Sequence, residues 1–291
     1  LGGTAVLIDR FTPAAALDVL RAERPDVLFY VPAILDALLA AQRADSAPAP
    51  SIPIIMGGAA LVAPELIDGA AEVFGATVLN LFGQTELAPV LSMTRPGDTR
   101  ADRLATVGRP LPQVECKIVD PVSGAVAAVG EPGEICARGY QQFTEYLNDP
   151  AATAATVDAD GFVHTGDLGT MDGRGYLTVT GRLKDIIIRG GENISPADIE
   201  RQLVDHEQVT DIAVLGLPDD QWGEIVAAVL RADGDPADLR EALAARAQSA
   251  LAPFKVPSRW FVTDEFPVTP TGKVRKFALR DAILRGEIRE L

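Results

Sequence analysis

Residues 52–86 read IPIIMGGAALVAPELIDGAAEVFGATVLNLFGQTE. Residues 52–56 form a short apolar run that leads into two glycines, and residues 76–81 form a second apolar run. Between them, residues 64–74 begin with proline and place apolar side chains at helical spacing. A helix between two short buried strands is typical of a βαβ unit, so this stretch predicts two parallel strands.

The same rhythm extends toward the start of the chain. Residues 13–24 and 32–43 predict helices, and residues 27–30 predict the strand between them. We therefore expect residues 1–103 to be the α/β part of a large domain, with a parallel sheet and helices on its faces. Ligands collect at the carboxyl ends of such strands.

The rest of the chain predicts two further units. After about residue 103, short strands separated by Pro/Gly turns indicate a small antiparallel β-barrel or distorted sheet over residues 104–182. From residue 183 to residue 291, strand and helix patterns indicate a compact α+β domain. The predicted strands are residues 114–120, 133–138, 161–164, 175–180, 186–188, 209–216 and 225–232, and helices are predicted from residues 195, 236 and 276. The expected fold class is α/β and α+β.

The composition restricts the possible functions. The chain has 291 residues, a formal net charge of −15 and two cysteines. The negative charge argues against general binding of nucleic acid or anionic membranes, and no apolar run reaches the roughly 18 residues of a transmembrane segment. So few cysteines indicate core residues in a reduced, cytoplasmic protein. A homo-oligomer is compatible with this composition.

A few short motifs carry side chains with useful chemistry. The loop PVTPTGKVR presents Lys273, although such a loop on its own is most simply a solvated turn. Thr85 and Glu86 follow a predicted buried strand, and a hydroxyl beside a carboxylate suits a phosphate and Mg²⁺ site. Asp167 follows a strand and suits a ribose diol, whereas Arg182 suits the same diol or a phosphate.

The motifs also follow one another in a distinctive order. They are GGAAL at residues 57–61, FGQTE at 82–86, GEI at 133–135, HTGD at 164–167, GRLKD at 181–185 and the loop of Lys273. In this order they resemble the acyl-adenylate-forming superfamily of acyl-CoA synthetases, firefly luciferase and peptide-synthetase adenylation domains. The resemblance implies an ATP-dependent acyl-CoA synthetase, which joins a small-molecule carboxylic acid to CoA through an acyl-adenylate and releases AMP and pyrophosphate.

The resemblance also implies roles for single residues. Lys273 contacts the substrate carboxylate and the α-phosphate, Thr85 donates to the α-phosphate, and Glu86 holds Mg²⁺. Asp167 and Arg182 bind the ribose. The other implied nucleotide-binding residues are Gly57, Gly58, Ala59, Ala60, Asn80, Phe82 and Gly83, with Phe82 stacked on adenine.

The last two implied roles concern movement and the second substrate. Lys184 matches the hinge about which the C-terminal domain rotates between the two half-reactions. Gly190 and Gly191 match a segment that lines the tunnel for the pantetheine arm of CoA, where the lack of side chains allows close approach. The alternative interpretation of these two glycines is a tight turn between a strand and a helix.

One part of the family pattern does not occur in these residues, the Ser/Thr- and Gly-rich phosphate loop. We therefore expect the chain to be the C-terminal part of a longer enzyme and to be inactive alone. Tyr30, Val31, Gly58 and Ala59 suggest an apolar substrate such as a fatty acid. Two alternatives stay open: a nucleotide-binding or scaffolding relative without catalysis, and an adenylating enzyme with a carrier-protein acceptor.

Overall fold

The structure is a computed structural model that describes residues 2–58, 62, 64–204, 206, 208–232, 236–269 and 273–291. Ala59 and Ala60 of the predicted nucleotide site lie outside the described residues. The chain divides into two compact units, Leu1–Thr165 with Thr170–Val179, and Gly166–Gly169 with Thr180–Leu291.

The secondary structure alternates helices and short strands throughout the chain. The helices are α1 (Pro13–Glu23), α2 (Pro32–Ala44), α3 (Pro64–Phe74), α4 (Arg100–Ala105), α5 (Pro150–Thr156), α6 (Pro196–Leu203), α7 (Pro236–Ala250) and α8 (Lys276–Leu284). The strands are β1 (Val27–Tyr30), β2 (Ile54–Gly58), β3 (Thr77–Phe82), β4 (Ser92–Met93), β5 (Arg109–Pro110), β6 (Val114–Val119), β7 (Gly133–Gly139), β8 (Val163–Met171), β9 (Leu177–Arg182), β10 (Ile187–Arg189), β11 (Glu192–Ile194), β12 (Val209–Asp219), β13 (Gly223–Ala232), β14 (Arg259–Val262) and β15 (Arg289–Glu290). None of the described helices is both long and apolar enough to cross a membrane.

The first sheet contains the predicted βαβ units. Its strand order is β1-β2-β3-β4-β5, and β1, β2 and β3 are parallel. Leu17 of α1, Leu38 of α2 and Ile67 of α3 are buried in the core on which these strands pack, together with Ile55 and Val78. The two-residue strands β4 and β5 add antiparallel pairs, which no sequence pattern predicted.

The glycine pair at the end of β2 has a structural reason. A Cβ atom at Gly57 would lie 2.1 Å from the Tyr30 carbonyl oxygen, and one at Gly58 would lie 2.1 Å from the Leu81 carbonyl oxygen. Those oxygens belong to the neighbouring strands, so neither position accepts a side chain unless a strand moves. The close approach of three strands therefore accounts for both glycines without a ligand.

We expect Gly57→Ala to lower the free energy of unfolding by about 1–3 kcal/mol, the usual range for overpacking. Gly97→Ala is the matched control, because a Cβ there meets no atom within 4 Å and Gly97, like Gly57, does not have a left-handed φ. Urea denaturation of both variants measures the difference. Equal stabilities for the two variants would show that β2 moves without cost.

The second sheet is open, which corrects the predicted small barrel. Its strand order is β6-β7-β8-β9, and β6 pairs with β7 in antiparallel register from Val114↔Gly139 to Val119↔Glu134. Within the described residues, no pairing joins β6 to β9. Four strands fall short of the roughly eight that a small barrel typically uses to close. The mixed α/β and α+β class is nevertheless confirmed.

The third sheet forms the α+β unit. Its path is β11-β10-β13-β14-β15, and β12 pairs with β13 along a long antiparallel hairpin. Side chains of the hairpin alternate between two cores: Ile212 and Val214 join the core that contains Ile199 of α6, whereas Ala213 joins the core that contains Leu279 of α8. Because helices cover both faces, both strands are nearly continuous apolar runs in the sequence.

Candidate active site

Thr85 and Glu86 lie in the first unit, just beyond the end of β3. The 3-10 turn Thr85–Leu87 leaves Thr85 exposed and Glu86 half-buried. The Tyr146 hydroxyl donates a 2.6 Å hydrogen bond to Glu86 Oε1, and the backbone N–H of Phe143 donates to the Glu86 carbonyl at 2.8 Å. The first contact orients the carboxylate and the second holds the backbone of Glu86. A carboxylate has about four lone-pair sites, so oxygen lone pairs remain for a cation.

Tyr146 is a site residue that the sequence did not reveal. Its ring packs edge-on against Phe143 at 4.9 Å, and the hydrogen bond to Glu86, followed by burial, raises the pKa of the hydroxyl. The phenol therefore stays a donor at neutral pH. No periodic pattern marks Tyr146, since it lies in an irregular segment sixty residues from its partner.

Asn80 is engaged with the protein around it. It is buried, accepts a 3.3 Å hydrogen bond from the Tyr30 hydroxyl and donates one at 2.6 Å to the Arg103 carbonyl oxygen. The Thr94 hydroxyl oxygen accepts a hydrogen bond from the Asn80 backbone N–H. These contacts tie β3 to its surroundings, and burial raises the pKa of Tyr30. The predicted contact of Asn80 with adenine stays a prediction.

Phe82 and Gly83 continue the chain from β3 toward Thr85. Phe82 is half-buried and packs on the core beneath the second sheet. A Cβ atom at Gly83 would lie 2.1 Å from the Pro89 carbonyl oxygen, so the turn after β3 requires glycine there. Stacking of Phe82 on adenine stays a prediction.

A cluster of potential metal ligands lies elsewhere in the first unit. The ligand atoms of Glu134, Cys136 and His164 lie within 4.8 Å of one another. His164 Nδ1 is 2.7 Å from Glu134 Oε2, which is a hydrogen-bond distance and shorter than the roughly 3.3 Å between N and O donors on a tetrahedral zinc ion. Burial, with Glu134 as the next cause, raises the pKa of the Cys136 thiol to about 12. We interpret the group as a histidine–carboxylate hydrogen bond that fastens β8 to β7.

Asp167 and Arg182 meet in the second unit. Asp167 is buried, and Arg182 Nε lies 3.0 Å from its Oδ1. The sequence predicted that the strand would end before Asp167, but β8 continues to Met171 and passes Gly166 in a left-handed conformation. Burial raises the pKa of Asp167 and outweighs the opposing charges of Arg182 and Lys273.

Lys273 joins this group. Its side chain is half-buried, and its pKa is lowered, first by burial and then by the charge of Arg182, while Asp167 opposes the shift and Lys184 adds to it. Arg182 thus pairs with the buried carboxylate of Asp167, and the charges of Lys273 and Lys184 also act on that carboxylate. Such a surplus of positive charge suits an anionic ligand. Lys184 itself is exposed in the 3-10 turn Leu183–Asp185, and its role as a hinge stays a prediction.

Gly190 and Gly191 form the turn between β10 and β11, rather than the expected connection from strand to helix. Both have left-handed backbones, with φ of 58° and 89°, as a type I′ hairpin turn requires. The Gly190 N–H donates to the Trp222 carbonyl at 2.8 Å, and a Cβ at Gly190 would meet the Trp222 ring at 2.8 Å. The turn explains both glycines locally, and their role in a pantetheine tunnel stays a prediction.

The basic side chains of Lys276 and Arg280, both in α8, form ion pairs rather than a solvated basic face. Lys276 Nζ lies 2.7 Å from Glu200 Oε1, and Arg280 lies 3.2 Å from Glu224 Oε1. Glu224 also accepts the backbone N–H of Ile188 at 3.0 Å. The partners are distant in sequence, so helical spacing alone did not reveal them. These ion pairs join α8 to α6 through Glu200 and to β13 through Glu224.

The chain matches known proteins over nearly its full length. The family model described as AMP-binding enzyme matches residues 1–147, and that of the AMP-binding enzyme C-terminal domain matches residues 198–273. An indoleacetate–CoA ligase of Aromatoleum aromaticum is 36% identical over 290 residues, which cover 99% of this chain and 56% of the ligase. The chain spans about half the length of the curated relatives it matches.

Solved structures show the same fold. An o-succinylbenzoate–CoA synthetase of Bacillus subtilis, in complex with its acyl-adenylate intermediate, is 30% identical with a TM-score of 0.82, covering 94% of this chain and 54% of that one. An amide bond synthetase of Marinactinospora thermotolerans is 35% identical with a TM-score of 0.83, covering 96% and 57%. One of these proteins is a CoA synthetase and the other an amide bond synthetase, so the likeness alone does not select an acyl acceptor.

Proposed function

Because the chain belongs to the AMP-binding enzyme family, we propose that the protein is an AMP-forming acid–thiol ligase, which makes an acyl-CoA from a carboxylic acid, ATP and CoA. The observation that carries the proposal is Lys273, half-buried beside Arg182 and Lys184 in a chain whose formal net charge is −15. Local positive charge against the overall sign supports a site for anionic groups.

The first half-reaction brings two anions together. A carboxylate oxygen of the acid attacks the α-phosphorus of ATP, and the bond from that phosphorus to the pyrophosphate oxygen breaks. The Lys273 ammonium donates to the carboxylate and to an α-phosphate oxygen, so it reduces the repulsion and orients the attack. The exposed Thr85 hydroxyl donates to the α-phosphate.

Asp167, Arg182 and Glu86 hold the remaining parts of the nucleotide. The Asp167 carboxylate accepts from the ribose hydroxyls, and Arg182 keeps that carboxylate in place. Glu86 fits Mg²⁺, because a carboxylate oriented by an outer hydrogen bond is a usual ligand of that ion, and Tyr146 supplies the bond. When bound, Mg²⁺ supplies positive charge to the phosphates.

In the second half-reaction the thiol of CoA attacks the acyl carbonyl carbon, and AMP leaves. An exposed aromatic surface beside the Gly190-Gly191 turn supports CoA as the acceptor. Trp222 is 44% exposed, and the Arg189 guanidinium lies 5.6 Å from its ring centroid. Arg189 also donates to the Phe254 carbonyl oxygen at 2.8 Å. An indole with a guanidinium at its face suits a nucleobase and a phosphate.

The test is acid-dependent pyrophosphate release by the full-length protein, measured with short, medium, long and aromatic acids. We expect release with an apolar acid, since the half-buried Val31 offers an apolar side chain, and discharge of the adenylate by CoA. No release with any acid would favour a relative without catalysis. Release without discharge by CoA would favour a carrier protein or an amine as acceptor.

The pH dependence of adenylation follows from Lys273. A lysine is charged below its pKa, and burial lowers that of Lys273 below the ordinary lysine value. Adenylation should therefore be full at lower pH and fall as pH rises through the lowered pKa. Single-turnover rates between neutral and alkaline pH measure this decline, and Lys273→Arg should move it to higher pH. An unmoved decline would assign it to another group.

Three further parts of the proposal await their own measurements. The domain boundaries at residues 103 and 182 and the hinge at Lys184 predict protease-sensitive junctions. A cytoplasmic location and self-association remain predictions from composition. Limited proteolysis, cell fractionation and light scattering of the full-length protein would test them in turn.

A further inference from the structure

The loop that carries Lys273 is closed at its base as a small antiparallel hairpin. Val268 and Val274 form a β-bridge, and the Arg275 N–H donates to the Pro267 carbonyl oxygen at 2.7 Å. The two arms are therefore held together on both sides of residues 270–272, which lie outside the described residues. Lys273 is the first described residue of the returning arm.

Each arm of the loop is connected to a part of the chain that packing or ion pairs hold in place. The outgoing arm follows Phe266, which is buried in the core with Leu279 and Ile283 of α8. The returning arm leads directly into α8. Ion pairs join this helix to α6, through Lys276 and Glu200, and to β13, through Arg280 and Glu224. The ends of the loop are thus fixed, and the backbone of Lys273 depends on contacts within the loop.

Thr269 makes two such contacts with Lys273. The Thr269 N–H donates to the Lys273 carbonyl oxygen at 2.8 Å, and the Lys273 N–H donates to Thr269 Oγ1 at 3.1 Å. The first bond joins two backbone groups, so any residue except proline at position 269 could form it. The second needs a short side chain with an acceptor oxygen, which serine shares but valine lacks.

The position of Lys273 needs such a restraint. Its ammonium is half-buried among the charges of Arg182 and Lys184, so like charges oppose its placement. A lysine side chain also loses rotamer entropy when it is held in one place. A backbone that is already fixed restricts the loss to the side chain.

We propose that Thr269 is a positioning residue for adenylation, because its hydroxyl holds the backbone of Lys273 where the ammonium meets the reacting carboxylate and phosphate. The proposal rests on the proposed function, in which Lys273 serves the first half-reaction. In this proposal Thr269 acts through Lys273 and not on the reacting atoms themselves. Its removal should therefore lower the rate of adenylation while leaving the thioester-forming step intact.

The test compares Thr269→Val, which keeps the shape, with Thr269→Ser, which keeps the hydroxyl, in the full-length protein. We expect Thr269→Val to lower kcat for acyl-adenylate formation about tenfold, the value of one hydrogen bond. KM for ATP and for the acid should stay within twofold, and CoA should discharge a supplied acyl-adenylate at the wild-type rate. Thr269→Ser should restore kcat. Thermal melting checks that each variant is folded, and Thr269→Ala replaces the valine variant if that one is not.

Each other outcome has a definite meaning when Lys273→Ala is measured in parallel. Equal losses in both half-reactions, or a serine variant as slow as the valine variant, would overturn the positioning role. So would a valine variant with the wild-type rate beside an inactive Lys273→Ala. A Lys273→Ala protein that forms adenylate normally would instead remove the proposed role of Lys273, and with it that of Thr269.

Discussion

Lys273→Ala should lower the rate of acyl-adenylate formation by about 10²–10³-fold, the usual cost of removing a group that stabilises transition-state charge. The substrate carboxylate and the α-phosphate are both negative, and Lys273 brings the cation that lies between them. Its half-buried position strengthens the effect, since charges interact more strongly away from bulk water. Single-turnover measurement with ATP and acid, in the full-length protein, isolates this step.

The control for this prediction lies on the same loop. Arg275 is exposed, and its guanidinium lies 4.9 Å from the ring centroid of Phe277. Arg275→Ala removes a positive charge two residues from Lys273 and should keep the adenylation rate within about threefold, as expected for a screened surface charge. Similar losses in the two variants would mean that overall loop charge matters, rather than the Lys273 ammonium.

Glu86→Gln should lower adenylation about 100-fold at low Mg²⁺, since outer-shell changes already cost 10–100-fold in metal affinity and Glu86 is the proposed ligand itself. The amide keeps the size of the side chain but loses the charge that draws the ion. Tyr146→Phe removes only the hydroxyl that orients the carboxylate. We expect this variant to bind Mg²⁺ about tenfold more weakly, and added Mg²⁺ should restore its rate of adenylation.

Titration of adenylation against Mg²⁺ separates these two variants. Glu72→Gln is the control, because Glu72 is an exposed carboxylate on α3 whose removal changes the net charge equally. We expect it to follow the wild-type curve. A Glu86→Gln protein with the wild-type Mg²⁺ dependence would show that other groups hold the ion.

Much of the fold could be predicted because local patterns report local burial. Helices α1–α3 and strands β1–β3 follow the apolar periodicity of residues 13–81, and the β12–β13 hairpin follows two long apolar runs. The two-residue strands β4, β5 and β15 could not be predicted, since two residues have no period. The barrel was also wrong, because closure depends on strand pairing across the whole sheet.

The residues of the candidate site also fall into those that the sequence predicted and those that it did not. Thr85, Glu86, Asp167 and Lys273 could be named from short motifs, since each motif combines a turn with a side chain of definite chemistry. Tyr146 could not be named, because its relation to Glu86 exists only after sixty residues of chain have folded back.

The amino-acid sequence thus determined the class of the fold, the family and the chemically capable side chains, since periodicity and motif order are properties of neighbouring residues. The tertiary structure decided what surrounds each of them. Burial and the charge of Arg182 lower the pKa of Lys273, whereas burial raises the pKa of Asp167. The Thr269 hydroxyl oxygen accepts a hydrogen bond from the Lys273 N–H. Desolvation and Coulomb interactions depend on distance in space, which no distance along the chain specifies.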